Sequence, residues 1–219
     1  MNGEGSFVLR LTLSSAKALR AKLLKVPRMK AFPPPRVVAV YNPVLRTIHW
    51  LMAALIFAAL PLGVWASQLP RGETRSEVLF VHKSFGVTVL ALVVLRIVVR
   101  VIVGAPAYAE PLGRLVHAAA RAGHLALYAL MVALPVTGYL SSSAGGHEVS
   151  FFGLFSLPNL VGENKALDHA AGQAHYLFAW MIGVTLALHL AAVVWHARVK
   201  RDTVLTRMWP GFQPNPAGR

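Results

Sequence analysis

Residues 172–197 read GQAHYLFAWMIGVTLALHLAAVVWHA. About 20 apolar residues suffice to cross a bilayer, so this stretch is long enough, yet it carries His175, His189 and His196. A polar ring in lipid is costly unless it faces a protein interior, finds a partner or coordinates something. His175 and His189 are 14 residues apart. On one helix they therefore differ by about 40° in direction and by about 21 Å in depth. They form a single stripe with an imidazole at each of two heights.

The rest of the chain has the same character. Of its 219 residues 56% are hydrophobic and 14% are charged, a balance far from that of an ordinary water-soluble domain. Four windows are apolar enough to span, at about 48–66, 78–103, 122–140 and 170–197. The expected fold is an all-α membrane protein, four transmembrane helices in an up-down bundle. Cysteine is absent, which excludes disulfides, iron–sulfur clusters and thiolate zinc sites. No Walker loop, dinucleotide fingerprint or serine-triad motif occurs.

The formal net charge is +14, and its distribution argues for topology over nucleic-acid binding. Residues 1–46 hold nine Lys/Arg, Arg96 to Arg121 four, and 197–219 five, with one acid in each segment. The two remaining connections, 67–83 and 142–171, hold four Lys/Arg and five acids in total. Eighteen of 22 basic residues thus fall on one side of a four-span arrangement, which the positive-inside rule makes cytoplasmic, with both termini there. The expectation is a multi-pass membrane protein, with membrane lipid as the surroundings and no nucleic acid as a partner.

Three segments are expected. Residues 1–40 are a basic arm, disordered or lying on the membrane surface, with a proline run that no helix continues through. Residues 41–210 are the four-helix domain, and 211–219 a C-terminal tail. Pro61 and Pro135 fall inside spans, where neighbouring helices can satisfy freed carbonyls. The outer connection 141–168, rich in glycine and aromatics, is expected to fold over the outer end of the bundle and to meet lipid or a partner through its apolar residues.

With the termini inside, depth alone sorts the histidines. His82 opens the second helix near the outer side, level with His175; His49 opens the first on the inner side, toward the level of His189. Two imidazoles facing each other across a bundle are what a six-coordinate haem requires. Any one of the four is equally well explained by a carbonyl hydrogen bond, and the pattern rests on all four together. A histidine path for zinc, copper or iron is the alternative, but it would recruit carboxylates or methionines, and the spans are nearly free of Asp and Glu. Gly86 and Gly183 lie near the ligand stripe, where a missing side chain admits a flat macrocycle or a close helix equally well. Arg96, on the His82 face at the inner half, is a candidate partner for haem propionates. His124 and His196 are candidate replacements in the inner pair. His196, at the headgroup boundary, reads better as an interfacial residue or a proton or quinone contact. His117, His147 and His169 read as surface residues. Lys83, Arg71 and Arg75 on the outer side are cations able to attract an anion.

RTIHWL opening the first helix, VHKSFG the second, AGHLALY the third, HYLFAWMIGVTLALH in the fourth and the closing TRMWP together resemble the bacterial cytochrome b-561 family, over about residues 41–210. The resemblance implies two b-type haems stacked across the membrane, with His49, His82, His175 and His189 as axial ligands, paired His82 with His175 and His49 with His189. It further implies electron transfer between the quinone pool and an outer-face redox protein or superoxide, some members resembling oxidases of superoxide that reduce ubiquinone. The competing expectation is a non-catalytic haem b anchor subunit of a dehydrogenase or hydrogenase. The basic leader departs from the family's compact pattern.

Overall fold

A computed structural model describes residues 40–106 and 113–209. Most of the 1–40 arm and the whole 211–219 tail lie outside the described residues.

Four helices make the bundle: α1 Pro43–Gln68, α2 Glu73–Val103, α3 Arg114–Ala144 and α4 Lys165–Trp195. All four are long and apolar enough to span a membrane. Each is longer than the apolar window that announced it. The added turns are polar, such as Glu73–Glu77 and Arg114–Arg121, so hydropathy stops where the hydrocarbon would, while the helix runs on. Local chemistry sets two of the starts. The Asn42 side chain accepts from Val44 N at 2.9 Å with Pro43 at the first helical position, and Asn164 accepts from Leu167 N at 3.0 Å. Both occupy the first orphan donors of their helices.

α1 packs on α2, α2 on α3 and α3 on α4. α4 makes no comparable backbone approach to α1 or α2, so the bundle is wide between α4 and the first two helices. Ile48, Met52 and Val93 form the buried cluster joining α1 to α2, with Leu90, Tyr128 and Met131 against it. In lipid such contacts hold by packing more than by exclusion of water.

At the end carrying fewer basic residues, called outer here, the α3–α4 connection forms an antiparallel hairpin of β1 Val149–Phe151 and β2 Phe155–Leu157. It folds back against α2 and α3, as expected of a cap. At its tip Phe152 has φ 50° and Gly153 φ 75°. A left-handed phenylalanine costs about 1–2 kcal/mol, offset by packing on the rings of Phe151 and Phe85 at 4.9 and 6.0 Å. At the inner end α4 widens into a π-helix, His196–Lys200, and the following segment turns back under the bundle. Tyr41 N donates to Arg207 O, Trp50 Nε1 to Met208 O and Arg46 Nη1 to Trp209 O. The TRMWP motif is therefore a brace between the end of the chain and the start of α1.

Candidate cofactor-binding sites

The histidines meet in two groups. His82 of α2 and His175 of α4 have ring centroids 6.1 Å apart with planes at 84°. About 20 Å along α4, two groups converge on His189: His49 of α1 at 6.5 Å and His124 of α3 at 5.8 Å. An ion held about 2 Å from one nitrogen of each of two imidazoles sets their centroids about 6 Å apart, so each group has the spacing of a bis-imidazole centre. Both couples inferred from depth are brought together. His124 joins the inner one as a third ring.

The outer couple is fixed by backbone. His82 Nδ1 lies 2.9 Å from Ala59 O and His175 Nδ1 2.9 Å from Leu134 O. Only N–H can donate to a carbonyl, so each ring carries its proton on Nδ1 and turns the lone pair of Nε2 away from the helix that holds it. A glycine stands one turn beyond each carbonyl. A Cβ at Gly63 would lie 2.8 Å from His82 Cε1, and one at Gly138 2.9 Å from His175 Cε1 and Nδ1. α1 thus clasps the histidine of α2, and α3 that of α4, by the same device. Pro61 and Pro135 fall inside these two stretches.

Gly86 and Gly183 are unlike these. A Cβ on either would meet nothing within 4 Å, and Gly86 opens on a cavity of about 840 Å3 at the outer end, lined also by His82 and His175. A volume of this size is that of a large cofactor pocket. Arg71, Arg75 and Lys83 line the same cavity, as do Glu148 and Asp168. His147, expected at the surface, belongs to this lining too. Asp168 accepts from Ser141 Oγ at 2.7 Å.

The inner group is fixed by side chains. Arg96 is buried; its Nε donates to Tyr128 Oη at 3.0 Å and its Nη1 to Leu45 O at 2.5 Å. Leu45 is one turn before His49 and Tyr128 one turn after His124, so a single guanidinium brackets the two helices whose histidines face His189. Arg100 and Arg207 both lie over the Tyr41 ring, at 5.5 and 5.6 Å. Arg207, buried, donates to Pro106 O at 2.9 Å. His196 points elsewhere, its Nδ1 donating to Asp202 Oδ2 at 2.5 Å.

No ring of carboxylates or thiolates accompanies the histidines, and the described residues hold no cluster of three or more His, Cys, Asp or Glu fit for a bare metal ion. Paired imidazoles at two depths of an apolar bundle, beside a large cavity and buried arginines, instead suit an iron cofactor that imidazole can hold. The architecture is that of a membrane b-type cytochrome. Residues 40–211 match the prokaryotic cytochrome b561 family, and the chain belongs to it. It is 32% identical over 169 residues to cytochrome b561 homolog 2 of Escherichia coli (strain K12), covering 77% of this chain and 90% of that protein. It is 29% identical over 167 residues to the probable superoxide oxidase CybB of Yersinia pestis, covering 74% and 92%. To cytochrome b561 homolog 1 of E. coli it is 26% identical over 167 residues, covering 74% and 93%. The protein is an integral, multi-pass electron-transfer cytochrome of the bacterial inner membrane that carries b-type haem.

Proposed function

We propose that the chain binds two b-type haems, one between His82 and His175 and one between His49 and His189, and conducts single electrons between an outer-face donor and quinone at the inner side. The observation that carries this is the repeated centroid spacing, 6.1 and 6.5 Å, with one histidine of each couple drawn from α4. When bound, haem iron supplies a reversible one-electron step. His82 with His175 and His49 with His189 would hold the iron, and the chemistry supplied would be electron exchange without oxygen binding.

The protein's own part is positional. Ala59 O and Leu134 O hold the outer rings in the tautomer that presents Nε2. Arg96 holds α1 and α3 about His189, and its charge favours the anionic propionates. Arg71, Arg75 and Lys83 give the outer cavity three cations beside Glu148 and Asp168, a field that draws a small anion toward the His82–His175 couple. Superoxide fits that field, as the name of the Y. pestis relative suggests. Two superoxide anions would yield two O2 and two electrons; one quinone would take both, with two protons, to become quinol. His196, bonded to Asp202 at the inner boundary, would be a group able to exchange those protons.

The first test is a reduced-minus-oxidised spectrum with a haem-to-protein ratio. Sharp b-type bands and a ratio near two are expected; one haem, or none, would overturn the assignment. The second replaces Arg71, Arg75 and Lys83 by glutamine. A lower second-order rate with superoxide and a shallower salt dependence are expected, and an unchanged rate would remove superoxide as the steered substrate.

A further inference from the structure

The hairpin is the least expected element of the outer end, and its surface has no role in the chemistry above. From Val149 to Val161 thirteen consecutive residues, VSFFGLFSLPNLV, carry no charge, although Glu148 and Glu163 stand just outside them. Phe152, Leu154, Phe155 and Leu160 are 42%, 76%, 57% and 67% exposed. Four large apolar side chains on one short connection make a patch that water would oppose.

Its depth is fixed by α2. The hairpin covers Ser84, which is fully buried. That hydroxyl lies 2.9 Å from Phe80 O and 3.2 Å from Ser150 O, and accepts from Phe152 N at 3.1 Å. Ser84 is two residues from His82, about 200° around the helix, so the tip of the hairpin is held on the face turned away from His82, while Val149 and Ser150 reach the outer cavity. The neighbouring Lys83 marks the outer margin of the apolar span. From Lys83 to Arg100 is 17 residues, about 26 Å along the helix, close to the ~30 Å of the hydrocarbon core. The hairpin is thus attached near the outer end of the apolar stretch of α2. Exposed Phe80 of α2, 39% accessible, continues the patch and lies 4.0 Å from where a Cβ of Gly153 would be. Irregular backbone at this depth needs its polar groups satisfied within the protein. Ser84 does this for the tip, Tyr139 Oη donates to Pro158 O, and Ser143 Oγ bonds Val161 O at 3.1 Å.

We propose that the 149–161 connection is a membrane-interface anchor whose Phe152, Leu154, Phe155 and Leu160 side chains sit in the outer leaflet at the headgroup–acyl boundary. Three observations select lipid as the occupant: the attachment of the hairpin at the outer part of an apolar helix, the continuity with exposed Phe80, which also borders the outer cavity, and the lack of any charge in the segment. The anchor also has a structural consequence. Val149 and Ser150 line the outer cavity, so a hairpin seated in lipid fixes one wall of that cavity at headgroup level. The inference rests on the membrane span alone and stands or falls apart from the haem assignment.

The chain has no cysteine, so Leu154→Cys and Phe155→Cys each give one labelling site on the full-length protein. Nitroxide-labelled protein in liposomes is measured for collision with oxygen, which concentrates in acyl chains, and with a water-soluble nickel chelate. A label at Glu163→Cys, in the exposed connection just beyond, is the aqueous reference. Labels at 154 and 155 should collide with oxygen several-fold more, and with the nickel chelate several-fold less, than the label at 163. Equal nickel accessibility at all three positions would place the patch in water and overturn the proposal. Immobile labels at 154 and 155 shielded from both reagents would equally overturn it, showing that a protein surface or a second copy covers the patch.

Discussion

The outer and inner imidazole groups have nearly the same spacing and are held by opposite means. At the outer end, two carbonyls and two glycines of α1 and α3 hold the rings of α2 and α4; the parts are backbone, and no side chain is needed to orient either ring. At the inner end, one buried arginine ties α1 to α3, and three rings rather than two converge. A backbone cradle fixes a tautomer and tolerates little added volume. A side-chain bracket brings charge close to the site and can be removed without touching the histidines.

The contrast is broken most severely by the histidines themselves. His175→Ala should lower the haem-to-protein ratio from two toward one and remove the outer spectral component; His189→Ala should remove the inner one. Pyridine haemochrome assays and redox titration read both outcomes, and loss of both components from either variant would mean the two centres are not separable. Gly138→Ala comes next. Its Cβ would sit 2.9 Å from the His175 ring, and overpacking of this kind costs about 1–3 kcal/mol. The outer Soret band should be lost at lower temperature, with the inner component unchanged; Gly63→Ala should do the same through His82. Arg96→Met should act in the complementary way. It removes two charge-assisted hydrogen bonds, each worth about 1.5–3 kcal/mol, so the inner component should shift and the thermal midpoint fall while the outer component stays. A shift of the outer component by the arginine variant, or of the inner one by the glycine variant, would erase the distinction. The smallest effect is expected at His169, exposed beyond both groups: His169→Gln should leave both components in place and stability within about 0.5 kcal/mol.

Much of this was legible before any coordinates. Four apolar windows give the four helices, and the helical repeat puts His175 and His189 on one stripe, from which depth selects His82 and His49 as partners. Helix ends were read short because Glu73, Arg114 and Lys165 are polar yet helical. The glycines singled out from sequence, Gly86 and Gly183, were chosen for nearness along their own helices. The glycines that grip the rings, Gly63 and Gly138, sit on neighbouring helices, and which glycine meets which ring depends on helix rotation, which one sequence does not encode. The only hint was the repeated proximity of proline and glycine in PLG at 61–63 and PVTG at 135–138. The hairpin is not visible in the sequence because strands of three residues carry too few alternations, nor is the role of Ser84, because two of its three partners, Ser150 and Phe152, are remote in sequence.

α4 contributes one ring to each group, and the closing brace reaches back to Tyr41 and Trp50 at the start of α1. During synthesis, three inserted helices would hold His82 at the outer depth and His49 and His124 at the inner one, without His175 or His189 to face them. Neither couple can form until the ribosome has delivered the last quarter of the polypeptide. If these couples hold the haems as proposed, cofactor loading is a terminal event in biogenesis, and a premature stop before residue 165 should yield an apoprotein regardless of how well its remaining helices insert.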